Sequence, residues 1–187
     1  MKTSNITDKL LLLKLKKKDP DAFAQLYDLY LTPIYRFIYF KVSTRQDAED
    51  LTSEAFLKIW QYITESEEEI ENLRALLYRI ARNLVIDFYR QKARAAFVRD
   101  EEVLENIADE KQQNLLSQID VEIGLNGIQK VLRQMKDEYR EVIVLRFIDE
   151  LSISEMAKIL NKSKGSIRVL LHRALKVAKK ISNQNGK

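Results

Sequence analysis

Apolar residues recur every three or four positions through most of the chain, and each run at that spacing predicts a helix. A first short helix is expected from Thr7 or Asp8 to Lys17. Asp19 and Pro20 then restart the chain, Asp as N-cap and Pro at the first helical position. The next helical stretch, 22–42, carries Phe23, Tyr27, Tyr30, Tyr35, Phe37, Tyr39 and Phe40. Pro33 is expected to kink or divide it. Ser43 and Gln46 have the spacing of a capping box. Beyond them Leu51, Ala55, Ile59 and Tyr62 mark one face, with Phe56 and Ile63 beside it. Leu73, Leu77, Ile80, Leu84 and Phe88 trace a further helix. Periodicity fades over 95–122, which reads as a flexible acidic linker with a short helix near 101–107. It returns with Ile128, Val131, Leu132 and Met135. A helix over 137–147 then buries Tyr139, Val142, Ile143, Leu145 or the stem of Arg146, and Phe147.

The most informative stretch follows. Ser152 and Glu155 form a capping box, so a helix begins at Ile153 and presents Ile153, Met156, Ala157 and Leu160 on one face. Asn161 tolerates the left-handed conformation that ends a helix. Ser163 caps a second helix with Ile167, Leu170, Leu171 and Ala174 inward. Ala157 is small where the two helices cross. Two short helices about a tight turn form a helix-turn-helix, the unit that lays its second helix in a DNA major groove. No Asp or Glu occurs from Lys158 onward, while Lys164, Arg168, Arg173, Lys176, Lys179 and Lys180 lie on or near the second helix. A plain helical hairpin with a solvated basic face is the alternative; the capped turn, the small crossing residue and the single sign of charge favour DNA.

Composition narrows the class. Only Gly 4 and Pro 2 occur in 187 residues, which argues for an all-α fold rather than strands and turns. The net charge of +4 hides a strong segregation of sign along the chain. Cys 0 removes disulfides, thiolate metal sites and cysteine nucleophiles, and the one histidine, His172, lies on the basic helix. No phosphate-cradling glycine loop is present. The chain start lacks a three-part signal peptide, and the apolar run 10–15 is too short to span a membrane. A cytoplasmic protein that is not an enzyme and uses no cofactor or metal is expected.

Two helices carry charge beyond what folding asks. Asp47, Glu49, Asp50 and Glu54 crowd the start of one. Carboxylates there suit the helix dipole, yet four in eight residues also repel one another. They form either a solvated surface or a docking face for a basic partner. On the helix from Leu73, the side away from the apolar stripe bears Arg74, Arg79, Arg82, Arg90, Lys92 and Arg94, with Asn83 and Tyr89 between. Guanidinium and aromatic groups interleaved in this way suit phosphates and unstacked bases. An amphipathic helix with a basic exterior is the plain reading. The acidic connection 64–72 separates the two helices.

Three segments in this order, DAEDLTSEAFLKIW, LLYRIARNLVIDFYRQK, and YREVIVLRFIDELSISEMAKIL with the following GSIRVLLHRA, resemble the extracytoplasmic-function group of bacterial RNA polymerase sigma factors. The resemblance covers 11–180. It implies a sigma region 2 domain over 1–94, the linker over 95–122, and a sigma region 4 domain over 123–187. The implied function is to direct core polymerase to promoters and help open them in transcription initiation. Asp47, Asp50, Leu51, Glu54, Phe56 and Leu57 match the segment that docks on the clamp helices of the largest polymerase subunit. Arg79, Arg82, Asn83, Asp87 and Arg90 match the part facing the minus-ten element. The connection 64–72 takes the place of the loop that captures a flipped base. Lys164, Ser166, Arg168, Val169, His172, Arg173 and Lys176 match the minus-thirty-five reader. The implied partners are core RNA polymerase, promoter DNA and, by family habit, an anti-sigma factor.

Some positions depart from the family pattern. Leu76 stands where Trp is frequent, Lys136 where Pro is, and Asn161 where Gly is. Val169 and Leu170 replace a frequent Ser and Arg, which weakens any transfer of the family's minus-thirty-five preference. A stand-alone helix-turn-helix regulator explains the C-terminal half equally well, but not the acidic helix followed by a basic-aromatic one. A helical enzyme lacks its catalytic groups. An adaptor of the same fold would bind partners without supporting transcription.

Overall fold

The computed structural model describes residues 3–66, 68–98 and 126–185, and among these every regular element is a helix. α1 spans Thr3–Lys16, α2 Pro20–Tyr39, α3 Arg45–Glu65 and α4 Leu73–Val98. The C-terminal half has α5 (Asn126–Arg133), α6 (Asp137–Ile143) continued by a π-helical turn over Val144–Ile148, α7 (Ile153–Leu160) and α8 (Lys164–Asn185). Residues 95–98 of the expected linker complete α4; its remainder, with the helix expected near 101–107, lies outside the described residues.

Local signals set the ends. Lys18 takes a positive φ of 60° after α1. Asp19 then caps α2, its Oδ1 accepting from the Asp21 amide at 2.9 Å, with Pro20 in the first turn. Pro33 neither divides nor ends α2, which runs unbroken past it. The proline removes one backbone donor, but Ile34, Tyr35, Phe37 and Ile38 directly after it are all fully buried, and their packing holds the helix together. The cap of α3 is Thr44, one residue after the expected Ser43; its Oγ1 accepts from the Asp47 amide at 3.1 Å.

α2, α3 and α4 pack on one another, and α1 lies across α2 and α3. Leu51, Ala55, Ile59, Leu77, Ala81 and Val85 fill the centre with the α2 aromatics. In the C-terminal half α8 is the spine, contacting α5, α6 and α7. The two halves also touch: α7 packs on α4, and the buried residues of both form one contiguous cluster. This second layer explains why Tyr78, Ala75 and Leu76 are buried as well as the expected α4 stripe.

The expected 137–147 helix changes pitch at Val144. A π-helical turn holds an extra residue, so it rotates the following side chains out of α-helical register. Val142, Ile143, Val144 and Leu145 are buried, but Phe147 is turned out and 53% exposed, contrary to its expected burial.

Candidate nucleic-acid interface

The helix-turn-helix forms as its local signals require. Ser152 Oγ accepts from the Glu155 amide at 3.2 Å, and Glu155 Oε2 accepts from the Ser152 amide at 2.8 Å, so the capping box is reciprocal. Asn161 sits at φ 51°, ψ 48°, the left-handed residue that turns the chain. The Ser166 amide donates to Ser163 Oγ at 3.1 Å at the start of α8. Ile167, Leu171 and Ala174 are buried, and Leu170 is half-buried. This fixes the rotation of α8. Lys164, Ser166, Arg168, Val169, His172, Arg173 and Lys176 are all exposed, a cationic surface with no carboxylate on its own helix. Val169 and Leu175 add exposed apolar side chains to the same helix.

The acidic helix divides into core and surface. Leu51 and Phe56 are buried, and Phe56 packs its ring 4.8 Å from that of Tyr27, so neither is available to a partner in this state. Asp47 is half-buried and accepts from Lys92 of α4 at 3.3 Å. Asp50 and Glu54 are exposed, the first bonded to Gln46 and the second paired with Lys58 within the same helix. Leu57 is 56% exposed between them and the C-terminal end of α3. Asp50, Glu54 and Leu57 therefore form a surface, with an apolar residue among carboxylates. A shallow cleft of about 290 Å³ opens beside them, lined by Leu51, Glu54, Asp87, Phe88 and Arg90.

On α4, Arg79, Asn83, Asp87 and Arg90 are exposed, and Arg90 pairs with Asp87 at 3.4 Å. Arg82 differs. Its Nε donates to Glu141 Oε1 of α6 at 3.1 Å, so the C-terminal half holds the side chain expected to meet DNA. Next to Arg79 lies a cleft of about 370 Å³ under the 64–72 connection, lined by Tyr62, Glu68, Glu71, Asn72, Arg79 and Lys158. Tyr62 donates to Glu68 Oε2 at 2.6 Å, and that bond holds the phenol proton and raises its pKa. Lys158, from α7, reaches into this rim and donates to Glu71 Oε2 at 3.0 Å; its ammonium lowers the Glu71 carboxyl below its usual range.

Several residues that matter here are not in the expected sets. Lys41, just past α2, is buried and donates to Glu141 Oε1 at 2.5 Å. Asp149 is buried and receives Arg36 Nε at 3.0 Å and Nη2 at 2.6 Å. Arg74, which the sequence already places on the basic side of α4, donates to the Asp149 carbonyl at 2.6 Å. Desolvation is the largest influence on Asp149 and pushes its carboxyl up to about 6 against the pull of Arg36. Burial likewise raises the Tyr78 phenol, which sits near Asp149. The only local signal for these residues was a charged letter within an apolar run, such as Lys41 after Phe40.

The Sigma-70 region 2 family model matches residues 26–95, and the Sigma-70, region 4 model matches residues 125–177. The chain is similar to the ECF RNA polymerase sigma factor SigW of Bacillus subtilis (strain 168), 35% identical over 178 residues covering 89% of this chain and 92% of SigW. It is 32% identical over 158 residues to the ECF RNA polymerase sigma factor BldN of Streptomyces coelicolor, covering 84% of this chain and 59% of BldN. Among solved structures it is similar to the sigma factor RpoE, in complex with the anti-sigma factor NepR from Bartonella quintana, with a TM-score of 0.67, 25% identity, and 85% and 95% of the two chains covered. CnrH, solved with the cytosolic domain of CnrY, shares the fold at a TM-score of 0.69 and 21% identity over 95% and 97% of the chains.

Proposed function

The chain belongs to the extracytoplasmic-function RNA polymerase sigma factors, and on that premise we propose how its surfaces divide the work of transcription initiation. The protein directs core RNA polymerase to promoters and performs no covalent step itself. Asp50, Glu54 and Leu57 dock on the polymerase: the carboxylates steer a basic surface and the exposed leucine is its apolar anchor. α8 lies in the major groove of the minus-thirty-five element. Arg168, Val169, His172 and Arg173 meet base edges, while Lys164 and Lys176 meet phosphates that set register without carrying sequence. Arg79, Asn83 and Arg90 face the minus-ten element, and Arg82 joins them once Glu141 releases it. The cleft beneath the 64–72 connection receives a flipped base, whose unstacking costs a few kcal/mol that stacking and polar contacts must return. The division into a region 2 domain before the 95–122 stretch and a region 4 domain after it follows the same assignment.

The observation that carries this division is the orientation of α8. Its buried residues leave all seven candidate reader side chains on open surface. The relative RpoE binds an anti-sigma factor, and we infer a partner of that kind here. We propose that the protein acts in the cytoplasm, where promoters are; among the described residues no helix is long and apolar enough to cross a membrane. Run-off transcription of fragmented genomic DNA by core polymerase, with and without the protein, tests the assignment. New start sites that depend on the protein and share two upstream elements are expected. A protein that binds duplex DNA tightly alone and adds no start sites is instead a stand-alone regulator.

A further inference from the structure

The fold uses one side of α1. The helix packs on α2 and α3, and its Leu11 and Leu15 are buried. Leu10 and Leu13 are 58% and 60% exposed. A helix turns about 100° per residue, so these two share a face roughly opposite Leu11 and Leu15. Lys9 and Lys16 border that stripe on one side and Lys14 on the other, and Lys17 follows at the end of the helix; all four are exposed. Lys16 also donates to the Glu68 carbonyl at 3.3 Å. Asp8 is the one carboxylate in the α1 sequence, and the Tyr30 hydroxyl donates to its Oδ1 at 3.3 Å. The outer face therefore carries charge of a single sign around an apolar stripe.

Folding does not ask for this pattern. Lysines in the last turn of a helix suit its dipole, which accounts for Lys14 and Lys16. The dipole does not account for Lys9, nor for two leucines left in water one turn apart. Single exposed leucines are ordinary. A paired stripe bordered by lysines is the pattern of a helix lying in a bilayer surface. Its apolar side chains reach the acyl chains while ammonium groups on long stems reach headgroup phosphates. Other occupants fit less well. A DNA duplex rewards the lysines, but its phosphates take nothing from the leucines. A partner protein that binds a helix receives it in a groove or offers one of its own to fill a groove; here the stripe is the convex side of a helix backed by the bundle. The apolar run 10–15 is too short to span a bilayer, but an interfacial helix needs only one apolar side.

We propose that the outer face of α1 is a peripheral binding site for an anionic lipid surface, with Leu10 and Leu13 entering the acyl boundary and Lys9, Lys14 and Lys17 pairing with headgroup phosphates. The two parts do different work. The lysines draw the chain to a negatively charged surface, and the leucines hold it there by leaving water. Neither the docking face of α3 nor the readers on α4 and α8 include a residue of α1, so this site is additional to those of transcription initiation.

Co-sedimentation of the full chain with lipid vesicles tests this. Vesicles of phosphatidylglycerol and phosphatidylcholine in equal parts are compared with vesicles of phosphatidylcholine alone, and a mixed-sequence DNA duplex is titrated separately. The wild type is expected to bind the mixed vesicles and not pure phosphatidylcholine. Leu10→Gln with Leu13→Gln should lower vesicle binding by about tenfold or more, with duplex binding and co-elution with core polymerase at wild-type values. Both leucines are exposed already, so melting should stay at the wild-type temperature. Lys9→Gln with Lys14→Gln is an independent second variant and should weaken vesicle binding roughly fivefold for each charge removed. Ile128→Gln with Lys130→Gln, an exposed apolar and basic pair on α5, is the control and should bind vesicles as the wild type does. Equal vesicle binding in the α1 leucine variant and the α5 control overturns the proposal, because the cations of α8 alone would then account for it. Failure of the wild type to bind the mixed vesicles overturns it as well. If the leucine variant loses duplex binding or co-elution with polymerase along with the vesicles, the face belongs to nucleic acid or to a protein and the lipid assignment falls.

Discussion

Lys41 and Glu141 meet at 2.5 Å with almost no solvent on either side chain, although one hundred positions separate them in the chain. The lysine ammonium also lies over the Phe37 ring, 5.3 Å from its centroid. Around this pair the N-terminal and C-terminal halves are held together.

Asp149 makes that contact depend on pH. Arg36, Arg74 and Tyr78 face it from α2 and α4, yet burial dominates and lifts its carboxyl from 3.8 to about 6. A raised folded-state pKa means that the closed form holds a proton which the opened or unfolded form releases. The stability is present in full below pH 4 and is lost as pH rises through 6, a change on the order of 3 kcal/mol. Melting followed from pH 4 to 8 should show this fall from Asp149 in the wild type and its absence in Asp149→Asn. A difference between the two profiles that does not change with pH would remove Asp149 as its source.

The α3 face separates packing from docking at neighbouring positions. Phe56→Ala should cost about 3–5 kcal/mol of stability because the ring is buried against Tyr27. Leu57→Ala should leave melting within about 0.5 kcal/mol of wild type, as surface substitutions do, while weakening co-elution with core polymerase. Asp50→Lys with Glu54→Lys should act as Leu57→Ala does. Unchanged co-elution in both would move the docking surface elsewhere.

Substitutions on α8 should divide by what each side chain reaches. Losing a bidentate contact to guanine through Arg168→Ala or Arg173→Ala should cost about 1–3 kcal/mol and relax preference at one base pair. Lys176→Ala and Lys179→Ala should weaken binding evenly across sequences and flatten its salt dependence. Holoenzyme binding to promoters with single upstream substitutions distinguishes the two patterns.

Arg82 and Asn83 are adjacent, but only Arg82 is engaged across the seam. Arg82→Ala should both loosen the free protein and slow promoter opening. Asn83→Ala should slow opening alone. Permanganate detection of melted DNA, alongside the hydrodynamic radius of the free protein, reads both effects.

The helix-turn-helix was legible from the sequence because its signals are local. The Ser152 and Glu155 box, the left-handed Asn161 and the Ser163 cap act within a few residues, and the spacing of Ile167, Leu171 and Ala174 fixes which side of α8 is open. The same locality exposed the acidic crowding on α3 and the cationic side of α4. Periodicity put Leu51 and Phe56 on or beside the apolar face and left Leu57 off it; only the family resemblance grouped all three as docking residues, and the structure keeps the first two in the core and Leu57 on the surface. Periodicity did not foresee Phe147, because a π-helical turn shifts register without altering the apolar letters.

Sequence alone therefore determined the helices, most of their caps, the exposed cationic side of α8 and the family. Tertiary structure decided which charges are free. Arg82 and Arg79 lie on one helix and read alike, yet one is held by a carboxylate and the other is open. A buried Lys41 and a solvated lysine are written with the same letter. Helical periodicity records which positions share a face, a property of neighbours one turn apart. What covers that face is set by contacts between segments up to a hundred residues away, and ion pairing across such a seam leaves no periodic trace in the chain.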